Sequence, residues 1–394
     1  MGASLEGKLL AGAGGLMVPV DFSAFPSPCY LVDEQLLVHN LQVLQGVKER
    51  TGCKILLAQK AFSMFSLYPL IGQYLDGTTA SGLFEARLGH EEMGGETHVF
   101  SPAYTEEELR ALIPLCDHVV FNSFAQWKRF RSLVQASPRS IACGIRINPE
   151  YTEQDHAIYD PCAPYSRLGT TLANFDPEEM EGISGLHFHT LCEQNSDALG
   201  ATLRAVEEKF GRFLYSMKWL NFGGGHHITR PDYDIPRLER AIRSIQEKYG
   251  LQVYLEPGEA VVLNTGYLVC TVLDIVDNGM HIAILDTSAA CHMPDVIEMP
   301  YRPPLLNAGE PGELAHTYRL GGPTCLAGDI LGDYSFAHAL KPGDRLVFGD
   351  MAHYSMVKNN TFNGMPLPAI GIWNESGSRI VKQFSYEDFR MRLS

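Results

Sequence analysis

Short apolar segments alternate with amphipathic helical stretches over residues 53–258, and this alternation limits the fold more than any other feature of the chain. Eight segments resemble strands that end in polar or glycine residues: CKILLAQKAF, GTTASG, ETHVFSPA, HVVFNS, IACGIRINP, GISGLHFHT, WLNFGGG and QVYLEP. Between them, apolar residues recur at intervals of three and four, as in TEEELRALIPLC. Alternating strands and helices favour a parallel sheet, and eight such units predict a closed (β/α)8 barrel.

The pattern changes after residue 258. The segments YLVCTVLDIVDN, HIAILDTSA, HTYRLGGPT and DRLVFGDMA are short strands separated by Gly, Pro and Asp turns. We therefore predict a barrel domain at 35–260 and an antiparallel β-domain formed by 21–34 with 261–394. The early segment PCYLVDEQLL has the pattern of a strand that precedes the first barrel helix, and it fits the β-domain as well.

The composition excludes several classes of function. A formal net charge of −15 disfavours nucleic acid as a partner and suits a cationic substrate. The nine cysteines occur singly, which indicates a reducing, cytoplasmic environment, and no apolar run has the length of a membrane span. The segment 1–20 lacks the order of a signal peptide, so we expect a disordered leader, with Met17 as a candidate natural start.

Lys60 stands at the end of the first strand candidate, in ILLAQKAFS. A lysine at the end of such a strand commonly extends its ammonium into water, and that interpretation remains open here. The alternative is a lysine that attacks a carbonyl, because burial lowers the pKa of an ammonium and yields the neutral amine.

Other unusual groups fall at the carboxyl ends of the strands, where barrel enzymes carry their chemistry. They are Ser81, Arg146, His189, the run Gly223, Gly224 and Gly225, and Glu256. Three glycines allow backbone amides to approach a phosphate, although a tight loop explains them equally well. Combined with a strand-end lysine they predict pyridoxal 5′-phosphate, with Glu256 either pairing with the pyridine nitrogen or capping a turn.

Several residues of the types that bind metal ions also lie near these strand ends. His187 and His189 alternate along one strand and point to the same side, where His189 could lie flat against a cofactor ring. A metal interpretation would use His189, Cys192, Glu193, His226 and His227. No established ligand spacing supports it, so we expect no metal.

Two stretches of the β-domain contain further candidates. GGPTCLAGDIL places Cys325 and Asp329 in a glycine-flanked loop, and DMAHYSMVKNNTFNG contains Tyr354. Neither stretch is diagnostic by itself.

Taken together, these motifs resemble the fold-type III pyridoxal-phosphate decarboxylases, which include the ornithine, diaminopimelate and arginine enzymes. Within that family the resemblance is strongest to the branch that acts on carboxynorspermidine. It rests on LAQKAF, DGTTASGLFEARLG, SRLG, HFHTLCE, LNFGGGHHIT, EPGEA, DTSAACHMPDVIEMPYRP, GPTCLAGD and TFNG, and it extends from about residue 26 to the end.

The resemblance implies a role for each matching residue. Lys60 would bond to the cofactor aldehyde, His189 would stack on the ring, and Glu256 would hold the pyridine nitrogen. Gly223, Gly224, Gly225 and Tyr354 would hold the phosphate. Members of the family are homodimers in which the loop equivalent to Cys325 and Asp329 enters the partner's barrel.

Two positions depart from the general family pattern. Glu259 replaces the arginine of EPGR, which removes a cationic phosphate contact and agrees with the carboxynorspermidine branch. Gln59 precedes Lys60, where an apolar residue is expected.

The expected reaction is the decarboxylation of carboxynorspermidine or carboxyspermidine to norspermidine or spermidine. Cys325 would protonate Cα, and Asp295, Glu298, Glu193 and Asp329 are the candidate acids for the cationic tail. Because the two substrates differ by one methylene, the sequence does not choose between them. The alternatives are a related diaminopimelate or ornithine decarboxylase, a non-catalytic pyridoxal-phosphate-binding barrel, and a metal-dependent barrel hydrolase.

Overall fold

A computed structural model describes residues 20–154 and 157–394. The chain divides into two units, of which one is Asn40–Val261 and the other contains the described residues before and after it. Strand β1 (Cys29–Asp33) is followed directly by helix α1 (Glu34–Thr51), in which the first unit begins. The predicted leader lies outside the described residues, apart from residue 20.

The first unit is a closed barrel of eight parallel strands. In chain order they are β2 (Lys54–Ala58), β3 (Gly77–Ala80), β4 (Glu96–Phe100), β5 (His118–Phe121), β6 (Ala142–Arg146), β7 (Ile183–His187), β8 (Trp219–Asn221) and β9 (Gln252–Leu255). Each strand pairs with the next, and β9 pairs with β2 to close the barrel. The predicted (β/α)8 barrel is confirmed, and each strand lies inside one of the eight segments identified in the sequence.

Helices connect most of these strands, and side chains cap the first turns of several of the helices. The helices are α2 (Tyr68–Ile71), α3 (Leu83–Glu92), α4 (Glu106–Leu112), α5 (Phe124–Gln135), α6 (Ser196–Leu214), α7 (Ile235–Tyr249) and α8 (Glu259–Val262). Thr105, Ser123 and Asp234 each accept a backbone hydrogen bond in the first turn of the helix that follows. Gly250 ends α7 with φ 69°, a left-handed conformation that favours glycine.

The barrel interior is filled by side chains rather than by solvent. Leu56, Val120, Trp219 and Tyr254 form one buried cluster. The rings of His98 and His118 stack beside it at 3.8 Å between centroids, within 9° of parallel. A Cβ on Gly185 would stand 2.0 Å from Trp219, so this position must be glycine for the indole ring to fit.

The second unit is a mixed but mainly antiparallel sheet. Its further strands are β10 (Gly266–Asp277), β11 (His281–Leu285), β12 (His316–Gly321), β13 (Ile330–Phe336), β14 (Arg345–Gly349), β15 (Ala369–Asn374) and β16 (Gly377–Lys382). Their order is β13-β12-β11-β10-β1-β15-β16, with β14 on β10. The pairs β1–β15 and β11–β12 are parallel. Short helices α9 (Ala289–His292), α10 (Asp295–Glu298) and α11 (Tyr386–Met391) complete the unit.

Candidate active site

The backbone beyond β2 places Lys60 at the carboxyl end of the barrel. The Ala58 amide donates to the Pro257 carbonyl at 3.0 Å, and the Gln59 amide donates to the Thr79 carbonyl at 3.1 Å. The turn that contains Lys60 is therefore held between the ends of two neighbouring strands. Gln59 itself is fully buried: its Nε2 donates to the Tyr68 hydroxyl at 3.1 Å, whereas its Oε1 has no hydrogen-bond partner among the described residues.

Lys60 extends into a small cleft at the carboxyl end of the barrel. The cleft is lined by Ala58, Lys60, Thr79, Ala80, Ser81, Phe100, Arg146, His187, His189, Gly224 and Glu256. The side chain is accessible from the cleft, yet the surrounding strand ends limit its hydration. Lys60 is exposed to the cleft, but its partial loss of hydration lowers the pKa of its ammonium, and the charge of Arg146 acts in the same direction.

Arg146 and His189 form one side of the cleft. The Arg146 guanidinium lies 4.6 Å from the centroid of the Phe100 ring and donates from Nη2 to the His189 carbonyl at 3.1 Å. Burial lowers the pKa of Arg146 to about 10, which still leaves it charged at neutral pH. Burial, Lys60 and Arg146 together hold the pKa of His189 well below its usual range. His189 is therefore neutral, and because its Nδ1 accepts the Gly224 N–H at 2.8 Å, its proton is on Nε2.

Glu256 follows β9 and faces the same cleft. Asn221 donates to its Oε1 at 2.8 Å, and His187 Nε2 lies 3.2 Å from its Oε2. Burial alone would raise the pKa of Glu256, but the interactions with His187 and Asn221 outweigh burial and lower it. Because burial also lowers the pKa of His187, the pair is best described as a neutral imidazole that donates to an ionised carboxylate.

The three glycines form the loop after β8 and have no room for side chains. A Cβ would stand 2.4 Å from the Phe188 carbonyl oxygen at Gly223 and 1.9 Å from the Leu191 carbonyl oxygen at Gly225. The Gly223 and Gly224 amides donate to Asn221 and His189 respectively. The Gly225 amide donates no hydrogen bond to any residue that the structure describes. Tight packing therefore accounts for the glycines, and one amide remains available to a ligand.

Two groups of side chains in the barrel unit have the composition of metal ligands. Glu96, His98 and His118 belong to barrel strands β4 and β5. Glu193 and His227 lie in the loops after β7 and β8, and Glu259 is the first residue of α8. The second group brings together Glu193 and His227, two of the five residues in the metal interpretation, and adds Glu259. His189 instead faces the cleft, and His226 Nε2 lies 3.4 Å from the Phe222 carbonyl.

The second unit contains the other predicted site residues. Cys325 is exposed, and its amide donates to Asn363 Oδ1 at 2.7 Å. Asp329 is buried and accepts hydrogen bonds from the hydroxyls of Ser288 and Thr324. Tyr354 has a left-handed φ of 46° in the loop after β14.

Two of the proposed tail acids already have a cationic partner in this unit. Asp295 and Glu298 both form ion pairs with Lys358. A polyamine ammonium would have to compete with Lys358 for these carboxylates, so they are weaker candidates than the sequence indicated.

Several residues of the cleft were not selected from the sequence. Phe100 is the last residue of β4 and Thr79 the last but one of β3, and both line the cleft. Asn221 is the last residue of β8 and contacts Glu256 of the cleft. The strand-end position was the available signal for all three. His187 was noted for its alternation with His189, but its contact with Glu256 depends on the register of two strands.

The chain belongs to the pyridoxal-dependent decarboxylase family. The family model "Pyridoxal-dependent decarboxylase, C-terminal sheet domain" matches residues 29–352. The predicted class of enzyme is thereby confirmed.

More specific similarity comes from individual proteins. The chain is 43% identical to the carboxynorspermidine/carboxyspermidine decarboxylase of Campylobacter jejuni, over 94% of this chain and 99% of that protein. It is 42% identical to the carboxyaminopropylagmatine decarboxylase of Synechocystis, over 94% and 96% of the two chains. The crystal structure of the Campylobacter jejuni carboxynorspermidine decarboxylase with norspermidine superposes with a TM-score of 0.87, covering 93% of this chain and 99% of the other.

Among the helices within residues 20–154 and 157–394, none combines the length and the apolar character needed to cross a membrane.

Proposed function

We propose that this protein removes the α-carboxylate from a carboxylated polyamine, carboxynorspermidine or carboxyspermidine, with pyridoxal 5′-phosphate as cofactor. The observation that carries the proposal is the 43% identity, over almost the whole of both chains, to a decarboxylase named for these two substrates. The products are CO₂ and norspermidine or spermidine.

The residues of the cleft fit this cofactor. Lys60 has a lowered ammonium pKa, which favours the neutral amine that attacks an aldehyde. The Gly225 amide is available to a phosphate oxygen, and the ionised Glu256 carboxylate faces the cleft as a partner for a protonated pyridine nitrogen. When bound, pyridoxal phosphate supplies an electron sink for the pair of electrons left by departing CO₂.

The chain itself orients the substrate and controls protons. We propose that the neutral His189 ring stacks on the cofactor, because a cationic ring would oppose protonation of the nearby pyridine. Glu256, held ionised by His187 and Asn221, keeps a proton on that pyridine nitrogen. Ser81 and Arg146 line the cofactor cleft. The Cα–carboxylate bond breaks, CO₂ leaves, and Cys325 returns a proton to Cα.

The cationic tail requires acidic partners. Glu193 is exposed on the loop after β7 and is the predicted tail acid on the barrel unit. Asp329 is hydrogen-bonded to hydroxyl groups in the second unit, whereas Asp295 and Glu298 share Lys358. We therefore propose the exposed Glu193 ahead of the buried Asp329 and ahead of Asp295 and Glu298.

The test is direct turnover. Purified, cofactor-saturated protein is incubated separately with carboxynorspermidine, carboxyspermidine, carboxyaminopropylagmatine, meso-diaminopimelate and ornithine, and CO₂ and the amine product are measured. Turnover confined to carboxynorspermidine and carboxyspermidine supports the proposal. Turnover confined to carboxyaminopropylagmatine would show that this protein acts on the substrate for which the Synechocystis relative is named. Turnover of diaminopimelate or ornithine would place this protein in a different branch of the family.

We further propose a homodimer with shared active sites, as the resemblance implies. Lys60→Ala and Cys325→Ala variants should each be inactive while Cys325→Ala retains bound cofactor. A mixture of the two variants should recover partial activity, because a mixed dimer contains one site with both residues intact. No recovery after verified subunit exchange would place Lys60 and Cys325 of the same chain in one site. Full activity of Cys325→Ala would contradict its catalytic role.

A further inference from the structure

The loop that contains Cys325 is built around the buried carboxylate of Asp329. This loop connects β12 to β13 in the second unit, and Asp329 is 2% exposed whereas Cys325 is exposed. The Asp329 carbonyl accepts the Gly322 amide at 2.8 Å, and the Asp329 amide donates to the Leu326 carbonyl at 2.9 Å. A Cβ on Gly322 would stand 2.2 Å from Asp329 Oδ2, so the chain closes tightly over this side chain. The proposed proton donor therefore lies at the surface of a loop that packs around a buried acid.

The chain itself supplies donors to both oxygens of the Asp329 carboxylate. The Ser288 hydroxyl donates to it, with Oγ 2.9 Å from both Oδ1 and Oδ2. Oδ1 also accepts the Ala290 N–H at 3.2 Å, while Oδ2 accepts the Thr324 N–H at 3.4 Å and the Thr324 hydroxyl at 2.7 Å. A carboxylate accepts about four hydrogen bonds, so these donors leave no position for the ammonium groups of a substrate tail. The same contacts connect Thr324, which precedes Cys325, to the beginning of α9.

Only a carboxylate satisfies both backbone donors around Asp329. The Ala290 N–H is directed at one oxygen and the Thr324 N–H at the other, and a backbone N–H cannot become an acceptor as a hydroxyl can. In either orientation, an asparagine at this position would direct its NH₂ group at one of these two donors. Because the site is buried, no water replaces the lost acceptor. Asp329→Asn should therefore displace the loop although the side chain keeps its size.

A second contact fixes the backbone at Cys325 itself. The Cys325 N–H donates to Asn363 Oδ1 at 2.7 Å, and Asn363 has a left-handed φ of 58°, which asparagine tolerates better than most residues. The segment that contains Asn363 is also attached to α9. Asn360 Nδ2 donates to the Ala290 carbonyl at 2.8 Å, and the Asn360 amide donates to the Cys291 carbonyl at 2.9 Å. The Cys325 loop is thus held by two supports, and both are hydrogen-bonded to α9.

We propose that Asp329 and Asn363 are positioning residues that hold Cys325 where its thiol can return a proton to Cα, and that Asp329 does not contact the cationic tail. This inference rests on the proposed function, because it assumes that Cys325 donates this proton. When the bond between Cα and the carboxylate has broken and CO₂ has left, the remaining electron pair takes the proton of the thiol. Water then returns a proton to the thiolate. Loss of a positioning residue should therefore slow the step after CO₂ departs and no earlier step.

Steady-state kinetics separate this step from the earlier ones. Because the departure of CO₂ is irreversible in the assay, kcat/KM reports only the steps up to it, whereas kcat also includes the return of the proton. With carboxynorspermidine, Asp329→Asn should lower kcat, per bound cofactor, about 10- to 100-fold and leave kcat/KM within about twofold, because the proton donor is misplaced. The solvent deuterium isotope effect on kcat should rise, because proton return becomes the slowest step. An unchanged kcat, or a lower kcat without a larger isotope effect, would overturn the proposal.

Asn363→Gly and Asn363→Asp form a matched pair at the second support. Glycine and aspartate both tolerate a left-handed φ, but only aspartate keeps an oxygen for the Cys325 N–H. Glycine should reproduce the pattern of Asp329→Asn, and aspartate should keep kcat near the wild-type value. Asp333→Asn is the control for loss of a carboxylate, since Asp333 on β13 binds Arg319 and should leave kcat unchanged. If either Asn363→Asp or Asp333→Asn lowers kcat as strongly as Asp329→Asn, damage to the sheet is the cause and the proposal fails.

The competing interpretation is that Asp329 binds the cationic tail. Norspermidine has the amines of the tail but no carboxylate to lose, so its inhibition constant reports tail binding without the reaction. This constant should be unchanged in Asp329→Asn, whereas a rise of about tenfold or more would indicate a lost charged contact and overturn the proposal. If the wild-type protein releases CO₂ from neither carboxylated polyamine, the proposed function fails together with this inference. Wild-type turnover with an unchanged kcat in both Asp329→Asn and Asn363→Gly rejects only the positioning role.

Discussion

Glu256 illustrates how neighbours determine the charge of a buried side chain. Its carboxylate is removed from solvent, which by itself favours the protonated form. A neutral imidazole from β7 and an amide from β8 each direct a donor at one of its oxygens. The side chain therefore reaches the cleft as an anion, which is the form that can hold a protonated pyridine nitrogen.

Replacing Glu256 with Gln should reduce kcat about 100-fold or more while leaving cofactor bound, because the fixed charge opposite the pyridine nitrogen is lost. Steady-state decarboxylation and the absorbance of the Lys60 adduct measure the two effects. Glu239→Gln provides the comparison, since Glu239 is also a buried glutamate but pairs with Arg50 away from the cleft. A fully active Glu256→Gln enzyme would exclude the proposed pyridine contact.

At this scale the sequence indicates the type of group but not its partner. Lys60 and Glu256 could be selected because charged residues at the ends of apolar strands are unusual. The pairing of Asp295 with Lys358 could not, since 63 residues separate them and only the folded sheet brings them together. The burial of both His227 ring nitrogens without a hydrogen-bond partner among the described residues likewise depends on a ring orientation that no sequence pattern encodes.

Gly185 in β7 and Gly200 in α6 provide a matched test of packing at the level of elements. An added methyl at Gly185 would stand 2.0 Å from Trp219, whereas at Gly200 the nearest atom is 3.7 Å away. We expect Gly185→Ala to lower the free energy of unfolding by about 1–3 kcal/mol because the barrel core is overpacked.

Gly200→Ala should instead be neutral or stabilising by roughly 0.5–1 kcal/mol, because alanine favours a helix more than glycine does. Urea denaturation of both variants measures the difference. Equal stability of the two variants would indicate that Trp219 can move aside without cost.

The elements themselves were predictable to different degrees. The eight barrel strands are apolar and separated by clear helical periodicity, so all eight were identified. Strand β16 was missed because it is largely exposed and has no apolar alternation. Strand β13 contains Asp333, whose charge hides the strand pattern until Arg319 on β12 is seen to pair with it. The parallel pairing of β1 with β15 involves residues too distant in sequence for any local signal.

At the scale of the whole molecule, buried neutral histidines connect stability to pH. Burial lowers the pKa of His118 to about 2 and that of His226 to about 4. In the unfolded chain both should titrate near 6.5, so below that pH the unfolded state binds more protons than the folded state. The stability from these two groups is complete above about pH 6.5 and is lost progressively towards their folded pKa values.

We therefore expect the free energy of unfolding to fall by about 1–2 kcal/mol per buried histidine between pH 7.5 and pH 5.0. Urea midpoints at the two pH values measure this change. His118→Gln should show a smaller pH dependence than the wild type, whereas His90→Gln, on an exposed position of α3, should not. If all three proteins show the same pH dependence, other titratable groups dominate the change in the free energy of unfolding with pH.

The net charge of −15 should influence how charged solutes reach the cleft. If the substrate is a carboxylated polyamine, kcat/KM should fall severalfold as NaCl is raised from low concentration to about 1 M, because the screening length shrinks to about 3 Å. The association rate of the anionic cofactor should change in the opposite direction and serves as the control. Insensitivity of both rates to salt would show that the net charge has no role in capture.

The position of β1 within the second sheet has a consequence for synthesis on the ribosome. This strand lies between β10 and β15, yet the whole barrel is encoded between it and either neighbour. The barrel strands are complete once residue 255 has emerged, while β1 must wait for residues 266–277 and 369–374. The nascent chain therefore carries an unpaired apolar strand through most of translation, so conditions that slow elongation should expose this product to aggregation or to chaperones before its last strands arrive.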